Sequence, residues 1–347
     1  MNRTDLKNLT MEELTAVVTG LGEKKFRAEQ LFNWMHKKQA RSVAEMTDLS
    51  EAFRKKLAEE FDYTVLEKVV ELVSEIDGTR KYLFRLQDGN VIESVRMEYH
   101  HGLSVCISSQ VGCRMGCSFC ASTIGGLVRN LSAAEMLEQI YSIERLGGEK
   151  ISNVVVMGSG EPLDNFDNLI RFIGLLCSEK GRNLSHRSIT VSTCGLADRL
   201  KELADLDLGI NPAVSLHAPN DEMRKQLMPV AKRYSIKELM EAVDYYFEKT
   251  GRRMTFEYSL IRGQNDTDAC ARELITLLKG RNCLVNLIPV NPVKERGYER
   301  PEGPNVQTFQ KKLEKAGINV TIRREMGSDI NAACGQLRRH YEEEAKG

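Results

Sequence analysis

With 347 residues, 49 basic and 49 acidic side chains and 41% hydrophobic residues, the chain is long enough for one large or two smaller globular domains. Its zero net charge gives nucleic-acid binding no support by itself, so an enzyme acting on nucleic acid would have to concentrate its positive charge on one face. The chain has nine cysteines, three of them clustered. It lacks a signal-peptide core, and no apolar run approaches roughly 20 residues. These features favour a cytoplasmic protein over a secreted or membrane one.

Residues 1–64 are predicted to form a small helical domain. Thr10 and Glu13 form a capping box in front of an apolar-periodic run, and Gly22 is placed to end this first helix. Two further amphipathic stretches follow, with apolar residues at helical spacing. We therefore expect three helices before the chain changes its pattern.

The stretch from Lys24 to Arg41 within this domain carries a local excess of positive charge. It contains six Lys or Arg residues against one acid, Glu29, and it includes Trp34. Such an excess beside an aromatic ring suits a phosphate backbone. A solvated basic helix face explains the same residues equally well, so the residues alone leave RNA binding open.

Residues 65–98 change to the alternating pattern of β-strands. The alternation is interrupted at Asp77-Gly78 and at Asp88-Gly89-Asn90, which are both good hairpin signals. We predict a short antiparallel β connector between the helical domain and the rest of the chain. Glu93 lies in its last strand, where the simplest interpretation is a solvent-facing side chain.

From residue 99 to residue 347, apolar strand-like segments alternate with amphipathic helix-like segments. The strands are predicted near 103–109, 152–158, 188–193, 211–216, 254–260, 283–289 and 318–323. Such alternation is typical of parallel βαβ units. Six or seven repeats predict an α/β fold with a partial (β/α)6-type barrel, an open version of the (β/α)8 barrel, whose chemistry collects at the carboxyl ends of the strands.

A cluster of three cysteines, Cys113, Cys117 and Cys120, follows the first of these strands in a C-x3-C-x2-C pattern. The three are too close together to staple the fold but are well spaced for one polynuclear metal centre, for which thiolates are the usual ligands. Three ligands for a four-iron cluster would leave one iron open to a substrate or cofactor. The alternative is a zinc knuckle completed by a histidine, although no candidate stands at a familiar zinc-ligand spacing. The candidate histidines are His100, His101 and His186.

Polar residues and exposed backbone fall at the ends of the later predicted strands. Each of them could merely cap a strand or the next helix, and singly that interpretation is the better one. Because they fall at successive ends of one barrel, they together predict a binding pocket. The residues are Gly160, Glu161, Ser192, Ser215, Leu216, His217 and Asn291.

The cysteine spacing after a first barrel strand resembles the signature of radical S-adenosylmethionine (SAM) enzymes. Two neighbouring stretches, Ser104-Val-Cys-Ile-Ser-Ser-Gln-Val-Gly-Cys113 and Ala332-Ala-Cys-Gly-Gln-Leu337, resemble the RlmN/Cfr family, which methylates an adenine of 23S ribosomal RNA. The likeness extends over nearly all of the chain. It implies a radical SAM barrel, a [4Fe-4S] cluster on the three clustered cysteines, SAM as a cofactor, and an N-terminal domain that helps to hold RNA.

The resemblance also implies roles for individual residues. The seven strand-end residues match the family's SAM-binding positions. Cys334 matches the cysteine that carries a methyl group from a first SAM to the adenine, while a second SAM is cleaved to a radical. Cys106 matches the cysteine that resolves the resulting protein–RNA adduct by forming a disulfide with Cys334. Glu93 matches the family's proton acceptor, and the sequence leaves open whether Glu93 or Cys106 removes the proton.

The substrates that the resemblance implies are adenine 2503 of 23S ribosomal RNA and adenosine 37 of some transfer RNAs, methylated at carbon 2. The alternative within the family is the Cfr type, which methylates carbon 8, and spacing does not decide between them. The resemblance further implies a flavodoxin or ferredoxin as electron donor, and we expect a monomer. Two other classes of protein remain open: a zinc-bearing RNA-binding protein without catalysis, and a radical SAM enzyme acting on a protein or small molecule.

The other cysteines lie on apolar helix or strand patterns, and we expect them to be packing residues. They are Cys177, Cys194, Cys270 and Cys283. A reactive thiol needs nearby positive charge and access. The sequence offers such charge in the pairs Arg323-Arg324 and Arg338-Arg339, which flank Cys334.

Overall fold

The computed structural model describes residues 3–100, 102–293, 295–330, 337 and 341. The sequence-predicted methyl carrier Cys334 lies outside the described residues, as do His101, Arg338 and Arg339. Within the described ranges, no helix is both long enough and apolar enough to cross a lipid bilayer.

The described residues form ten α-helices and twelve β-strands. The helices are α1 (Met11–Gly20), α2 (Phe26–His36), α3 (Glu51–Glu60), α4 (Ala133–Gly147), α5 (Phe166–Cys177), α6 (Ala197–Asp205), α7 (Asp221–Leu227), α8 (Ile236–Thr250), α9 (Asp268–Leu278) and α10 (Gly303–Lys315). The strands are β1 (Glu67–Val73), β2 (Arg80–Arg85), β3 (Val91–Tyr99), β4 (Gly102–Ile107), β5 (Gln110–Gly112), β6 (Leu127–Asn130), β7 (Asn153–Val156), β8 (Ile189–Thr193), β9 (Asn211–Ser215), β10 (Met254–Leu260), β11 (Cys283–Pro289) and β12 (Asn319–Ile322).

The first three helices form the predicted helical region. The capping box at the start of α1 is present: the Thr10 hydroxyl accepts from the Glu13 N–H, and the Glu13 carboxylate accepts from the Thr10 N–H at 2.8 Å. Leu14 and Val18 on α1 are fully buried, as the apolar periodicity predicted. Gly22 has a positive φ of 85° just beyond the helix, the conformation that favours glycine there.

The barrel is built on seven parallel strands, in the order β4-β7-β8-β9-β10-β11-β12. Every strand predicted between 103 and 323 is present, and the partial α/β barrel is confirmed. Strands β1 to β3 add antiparallel to β4, so the ten strands form one continuous sheet. The predicted connector is therefore hydrogen-bonded to the first barrel strand, while the boundaries 1–64, 65–98 and 99–347 stay a prediction of domain organisation.

Helix α4 joins the helical region to the barrel. One side of α4 packs on β4, and another side meets the short helical turn Leu6–Asn8, so almost none of its residues face solvent. A buried ion pair holds this junction: the Lys7 ammonium donates to the Glu138 carboxylate at 2.8 Å and to the Thr64 carbonyl at 2.6 Å. Burial lowers the pKa of Lys7, and the charge of Glu138 acts against that shift. Removing one partner would leave a buried charge unpaired, which is strongly destabilising.

A buried histidine at the same junction makes the stability of the fold depend on pH. His36 is fully buried, its Nδ1 lies 3.1 Å from the Tyr141 hydroxyl on α4, and burial, followed by the charge of Lys7, lowers its pKa to about 3. The pKa of a histidine in an unfolded chain is about 6.5. Between those values the unfolded chain binds a proton that the folded chain does not, so stability falls as the pH falls through this window.

We expect His36→Gln to reduce this loss of stability between about pH 6.5 and pH 3, because the variant has no proton to bind at this position. Denaturant unfolding at several pH values measures the slope of the free energy of unfolding. An unchanged slope in His36→Gln would contradict the assignment.

Candidate active site

A cavity of about 340 Å³ opens among the carboxyl ends of the parallel strands. It is lined by every sequence-predicted site residue that the structure describes except Leu216. These lining residues are Glu93, Cys106, Cys113, Cys117, Cys120, Gly160, Glu161, Ser192, Ser215, His217 and Asn291. Residues that are up to 198 positions apart in the chain therefore meet at one edge of the sheet, where the chemistry of such barrels collects.

The cysteine loop is held by the small hairpin of β5 and β6. Gly112 ends β5 with a φ of +77°, and a Cβ at this position would lie 2.1 Å from the Gly126 carbonyl oxygen, so only glycine fits. Gly116 also has a positive φ, of +73°, inside the loop. The Cys113 N–H donates to the Gly126 carbonyl at 3.0 Å, which closes the base of the loop. The backbone therefore turns tightly around the cysteines.

The three clustered thiols are shielded from water. Burial, followed by the neighbouring Cys120, Glu161 and Asp164, raises the pKa of Cys113 to about 12. Burial also raises the pKa of Cys117 and Cys120. Three buried thiols beside acidic groups are stable as thiolates only with a cationic centre among them, which is the chemistry of an iron–sulfur cluster. The residues present therefore fit the group.

Within the part of the chain that the structure describes, no three His, Cys, Asp or Glu side chains converge on a point suited to one metal ion. A four-iron cluster binds each thiolate at a different iron, so its ligands need not converge in that way. Of the histidines proposed for a zinc knuckle, His100 and His186 do not line the cavity, and His101 lies outside the described residues.

Glu161 is fixed at the end of β7 by backbone donors. One carboxylate oxygen accepts from the Leu163 N–H at 3.0 Å, and the other accepts from the Cys194 N–H at 2.6 Å. Burial raises the pKa of Glu161, and these hydrogen bonds act to lower it. A Cβ on the preceding Gly160 would lie 2.7 Å from the Cβ of Gln110, so the turn requires glycine. A carboxylate held next to exposed backbone suits a ligand ammonium group.

His217 is held in one tautomer at the end of β9. Its Nδ1 accepts from the Ser259 N–H at 2.9 Å, which leaves the proton of the neutral ring on Nε2. Burial, followed by the charge of Arg224, lowers the pKa of His217 to about 3, so the ring is neutral near pH 7. The residue also has a φ of +56°, and its ring edge packs on Phe119. His217 thus presents a fixed donor to the cavity.

Glu93 and Cys106 lie side by side on the wall formed by β3 and β4. The interpretation of Glu93 as a solvent-facing residue is wrong, because only 3% of it is exposed and its carboxylate pairs with Lys81 at 3.1 Å. Burial raises the pKa of Cys106, and the positive charge of Arg323 acts to lower it. The sequence had indicated Arg323 as a source of positive charge, and Arg323 also lines the cavity.

Several charged residues of the site, among them Glu257 and Arg224, were not predicted from the sequence. Glu257 in the middle of β10 lines the cavity, accepts from the Asn286 side chain at 3.0 Å and has a pKa raised by burial. A carboxylate within an otherwise apolar strand was the available signal for it. Arg224 on α7 is fully buried and donates to the Cys194 carbonyl at 2.6 Å and the Leu216 carbonyl at 3.2 Å.

These contacts also change the interpretation of two predicted residues. The Leu216 side chain is buried and does not line the cavity, so any part that Leu216 plays at the site is through its backbone. Cys194 is buried as a packing residue should be, yet it lines the cavity and its N–H holds Glu161. The remaining cysteines Cys177, Cys270 and Cys283 are buried away from the cavity, as predicted.

Comparison with known proteins agrees with this geometry. The family model of the radical SAM superfamily matches residues 107–273, and the model described as the ribosomal RNA large subunit methyltransferase N-terminal domain matches residues 4–62. A crystal structure of a radical SAM methyltransferase from Sphaerobacter thermophilus has a TM-score of 0.92 at 43% identity, covering 96% of this chain and 98% of that one. The fold and the cysteine-lined cavity define a radical SAM protein.

Curated relatives identify the family within the radical SAM class. A protein of Lachnospira eligens is 62% identical over 98% of this chain and 97% of its own length. A protein of Lachnoclostridium phytofermentans is 59% identical over 98% of this chain and 95% of its own length. Both are named probable dual-specificity RNA methyltransferase RlmN. The chain belongs to the RlmN family, and this membership implies a [4Fe-4S] cluster and SAM as cofactors.

Proposed function

We propose that the protein is an RNA methyltransferase that forms 2-methyladenosine at adenine 2503 of 23S ribosomal RNA and at adenosine 37 of some transfer RNAs. One observation carries the proposal: the cluster cysteines, the strand-end residues other than Leu216, Cys106 and Glu93 all line one cavity. The names of the relatives, which describe dual-specificity RNA methyltransferases, support it. Acting on ribosomal and transfer RNA places the protein in the cytoplasm.

The cofactors are held by two sets of residues. Cys113, Cys117 and Cys120 would hold the cluster, and the strand-end residues would hold SAM, with the Glu161 carboxylate available to an ammonium group. When bound, the cluster would supply the electron for reductive cleavage of SAM, the chemistry that would activate a methyl group carried on Cys334. A small flavodoxin or ferredoxin is the donor of that electron.

The methyl group reaches the RNA through a cysteine because of the chemistry of adenine. Carbon 2 of adenine is electron-poor, so direct transfer of a methyl cation from SAM to it is unfavourable. The Cys334 thiolate is a good nucleophile and takes the methyl group from a first SAM. Two SAM molecules are then used in each turnover. Cys334 lies outside the described residues, and its role rests on the family motif around it.

Glu93 and Cys106 complete the reaction. After the methyl-derived carbon on Cys334 adds to carbon 2, the adduct would return one electron to the cluster, which balances the electron that SAM cleavage consumed. Glu93 or Cys106 then takes the proton from carbon 2, and the C–H electron pair restores the aromatic ring. The Cys106 thiolate attacks the sulfur of Cys334: an S–S bond forms, the C–S bond breaks, and the released carbon takes a proton. A thiol reductant must open the disulfide before the next turnover.

The helical region offers a surface for the RNA backbone. The exposed cations Lys24, Lys25, Lys37, Lys38 and Arg41 lie on it. The Lys38 ammonium lies 3.5 Å from the centre of the Trp34 ring, and Phe26 is 49% exposed. Cations interleaved with aromatic rings suit both phosphates and unpaired bases.

We expect Lys37→Gln combined with Lys38→Gln to weaken binding of an RNA fragment by about tenfold at moderate salt, with a shallower salt dependence, because two phosphate contacts are lost. Filter binding or fluorescence anisotropy across a salt series measures both quantities. A control pair, Lys311→Gln with Lys315→Gln on the exposed side of α10, should change neither. Equal effects of the two pairs would contradict a binding role for this surface.

The proposal is tested by mass spectrometry of nucleosides from 23S ribosomal RNA and transfer RNA of cells with and without the gene. Loss of 2-methyladenosine from both RNA classes is the expected result. Loss of 8-methyladenosine instead would replace carbon 2 by carbon 8 as the site of methylation. No change in either nucleoside would overturn the proposed function.

A further inference from the structure

A lysine with no solvent exposure lies behind the cavity wall. Lys81 is in β2 and does not line the cavity, whereas its partner Glu93 does. The Lys81 Nζ lies 3.1 Å from a carboxylate oxygen of Glu93, whose side chain is 3% exposed. The pair therefore has one member against the cavity and one member buried beneath it.

The strand register produces this arrangement. Lys81 faces Val95 across the β2–β3 pair, and Leu83 faces Glu93. Val95 in turn faces Cys106 across the β3–β4 pair. Directly opposed residues in antiparallel strands have their side chains on the same face, and residues two positions apart share that face. Lys81, Glu93 and Cys106 thus lie on one face of the sheet, with Lys81 and Glu93 as diagonal neighbours.

Stability alone does not explain such a pair. Two buried charges lose their hydration, and a well-packed apolar pair in their place is often as stable or more stable. What the ammonium does supply is a field that favours the ionised carboxylate, against the tendency of burial to favour the neutral one. Lys81 of β2 pairs directly with Glu93, and Cys106 of β4 lies close enough for the charges of Glu93, Lys81 and Arg323 to act on its pKa.

We propose that Lys81 is a positioning residue that keeps Glu93 ionised and fixed against the cavity as the acceptor of the adenine carbon-2 proton. The inference rests on the proposed function, since it concerns a step of that reaction. In this step Glu93 gains the proton and the C–H electron pair returns to the ring, while Lys81 keeps its own protons. The proposal assigns the carbon-2 proton to Glu93, so the Cys106 thiolate is available to attack the sulfur of Cys334.

The test compares Lys81→Met with Lys81→Arg in the enzyme reconstituted with its cluster, SAM and a 23S ribosomal RNA fragment. In Lys81→Met we expect the covalent protein–RNA adduct to persist and 2-methyladenosine to form about 10- to 100-fold more slowly near pH 7, since a general base contributes on that order. The rate should recover as the pH rises, because the carboxyl group then ionises without the lysine. Lys81→Arg, which keeps the charge, should retain most of the rate, and a single turnover should yield the same amount of 5′-deoxyadenosine in both variants.

A second variant keeps the proposal falsifiable if Lys81→Met does not fold. The double variant Lys81→Met/Glu93→Gln buries no unpaired charge, and it should be no slower than Glu93→Gln alone if Lys81 acts through Glu93. A further loss of rate in the double variant, or a folded Lys81→Met with the unsubstituted pH profile, would overturn the proposal. Normal clearance of the adduct by Glu93→Gln would overturn it as well, while leaving the methyltransferase function standing. Absence of 2-methyladenosine from the unsubstituted enzyme would instead remove the proposed function.

Discussion

Cys334→Ala is expected to abolish the formation of 2-methyladenosine while SAM is still cleaved to 5′-deoxyadenosine. The variant has no thiolate to receive the first methyl group, so no methyl-derived carbon reaches the RNA. The variant keeps the cluster cysteines and the strand-end residues of the cavity. Measuring 5′-deoxyadenosine by chromatography and 2-methyladenosine by mass spectrometry in the same reaction separates the two steps. Methylated RNA from this variant would show that the carrier assignment is wrong.

Cys106→Ala provides the complementary result. This variant still loads Cys334 and attacks the adenine, but it lacks the thiolate that breaks the C–S bond. We expect the RNA to remain covalently attached to the protein, visible as a slowly migrating band in a denaturing gel. Cys283→Ala, a buried cysteine of β11 away from the cavity, should release its product normally.

Cys117→Ala is expected to remove the iron–sulfur centre and with it all activity. The unsubstituted protein, purified without oxygen, should be brown and hold about four irons and four sulfides per chain, as for one cubane cluster. With one of three ligands lost, iron content, SAM cleavage and RNA methylation should all fall to background. The measurements are iron and sulfide analysis together with the two activity assays.

The matched control for this loss is Cys177→Ala. Cys177 on α5 is as buried as Cys117, with 8% of each residue exposed, but it does not line the cavity. Its replacement should leave the iron content unchanged. A colourless protein that binds zinc would contradict the iron–sulfur assignment and favour the zinc-bearing alternative. Full iron retention in Cys117→Ala would contradict the assignment of Cys117 as a cluster ligand.

The parts of the fold that depend on local sequence were predicted well. The capping box of Thr10 and Glu13, the hairpin turns and the parallel strands all follow from residue patterns a few positions long. The continuity of the ten-stranded sheet was not foreseen, because His100 and His101, the two residues between β3 and β4, lack the Asp-Gly signal that marked the other turns.

Strand β3 shows why the burial of Glu93 escaped prediction. Alternation usually marks one solvent-facing side of a strand, but seven consecutive residues of β3 are buried. One side faces the cavity with Glu93, and the other side is covered by α4, where the Ser94 hydroxyl donates to Gln139 at 2.9 Å. Neither α4 nor the partner Lys81 is near Glu93 in the sequence, so only the tertiary structure reveals the second buried face.

The cavity residues that were predicted also carry local sequence signals, and those that were missed depend on tertiary contacts. The cysteine cluster and the strand-end residues were predicted because a short spacing, or a position just after a strand, identifies them. Arg224 and Glu257 were missed because a charged residue on a helix or strand is usually solvated, and their burial depends on carbonyls and amides from other elements. The backbone role of Cys194 was missed for the same reason, since it is the Glu161 carboxylate that gives it a function.

The most direct test of the account is the isotopic mass of the product. The reconstituted enzyme is supplied with SAM that carries three deuterium atoms in its methyl group, and 2-methyladenosine is analysed after several turnovers. Transfer through Cys334 predicts two deuterium atoms in the product, because one leaves with 5′-deoxyadenosine and one hydrogen enters from the solvent. A product that retains all three would show direct transfer of an intact methyl group and would contradict the mechanism.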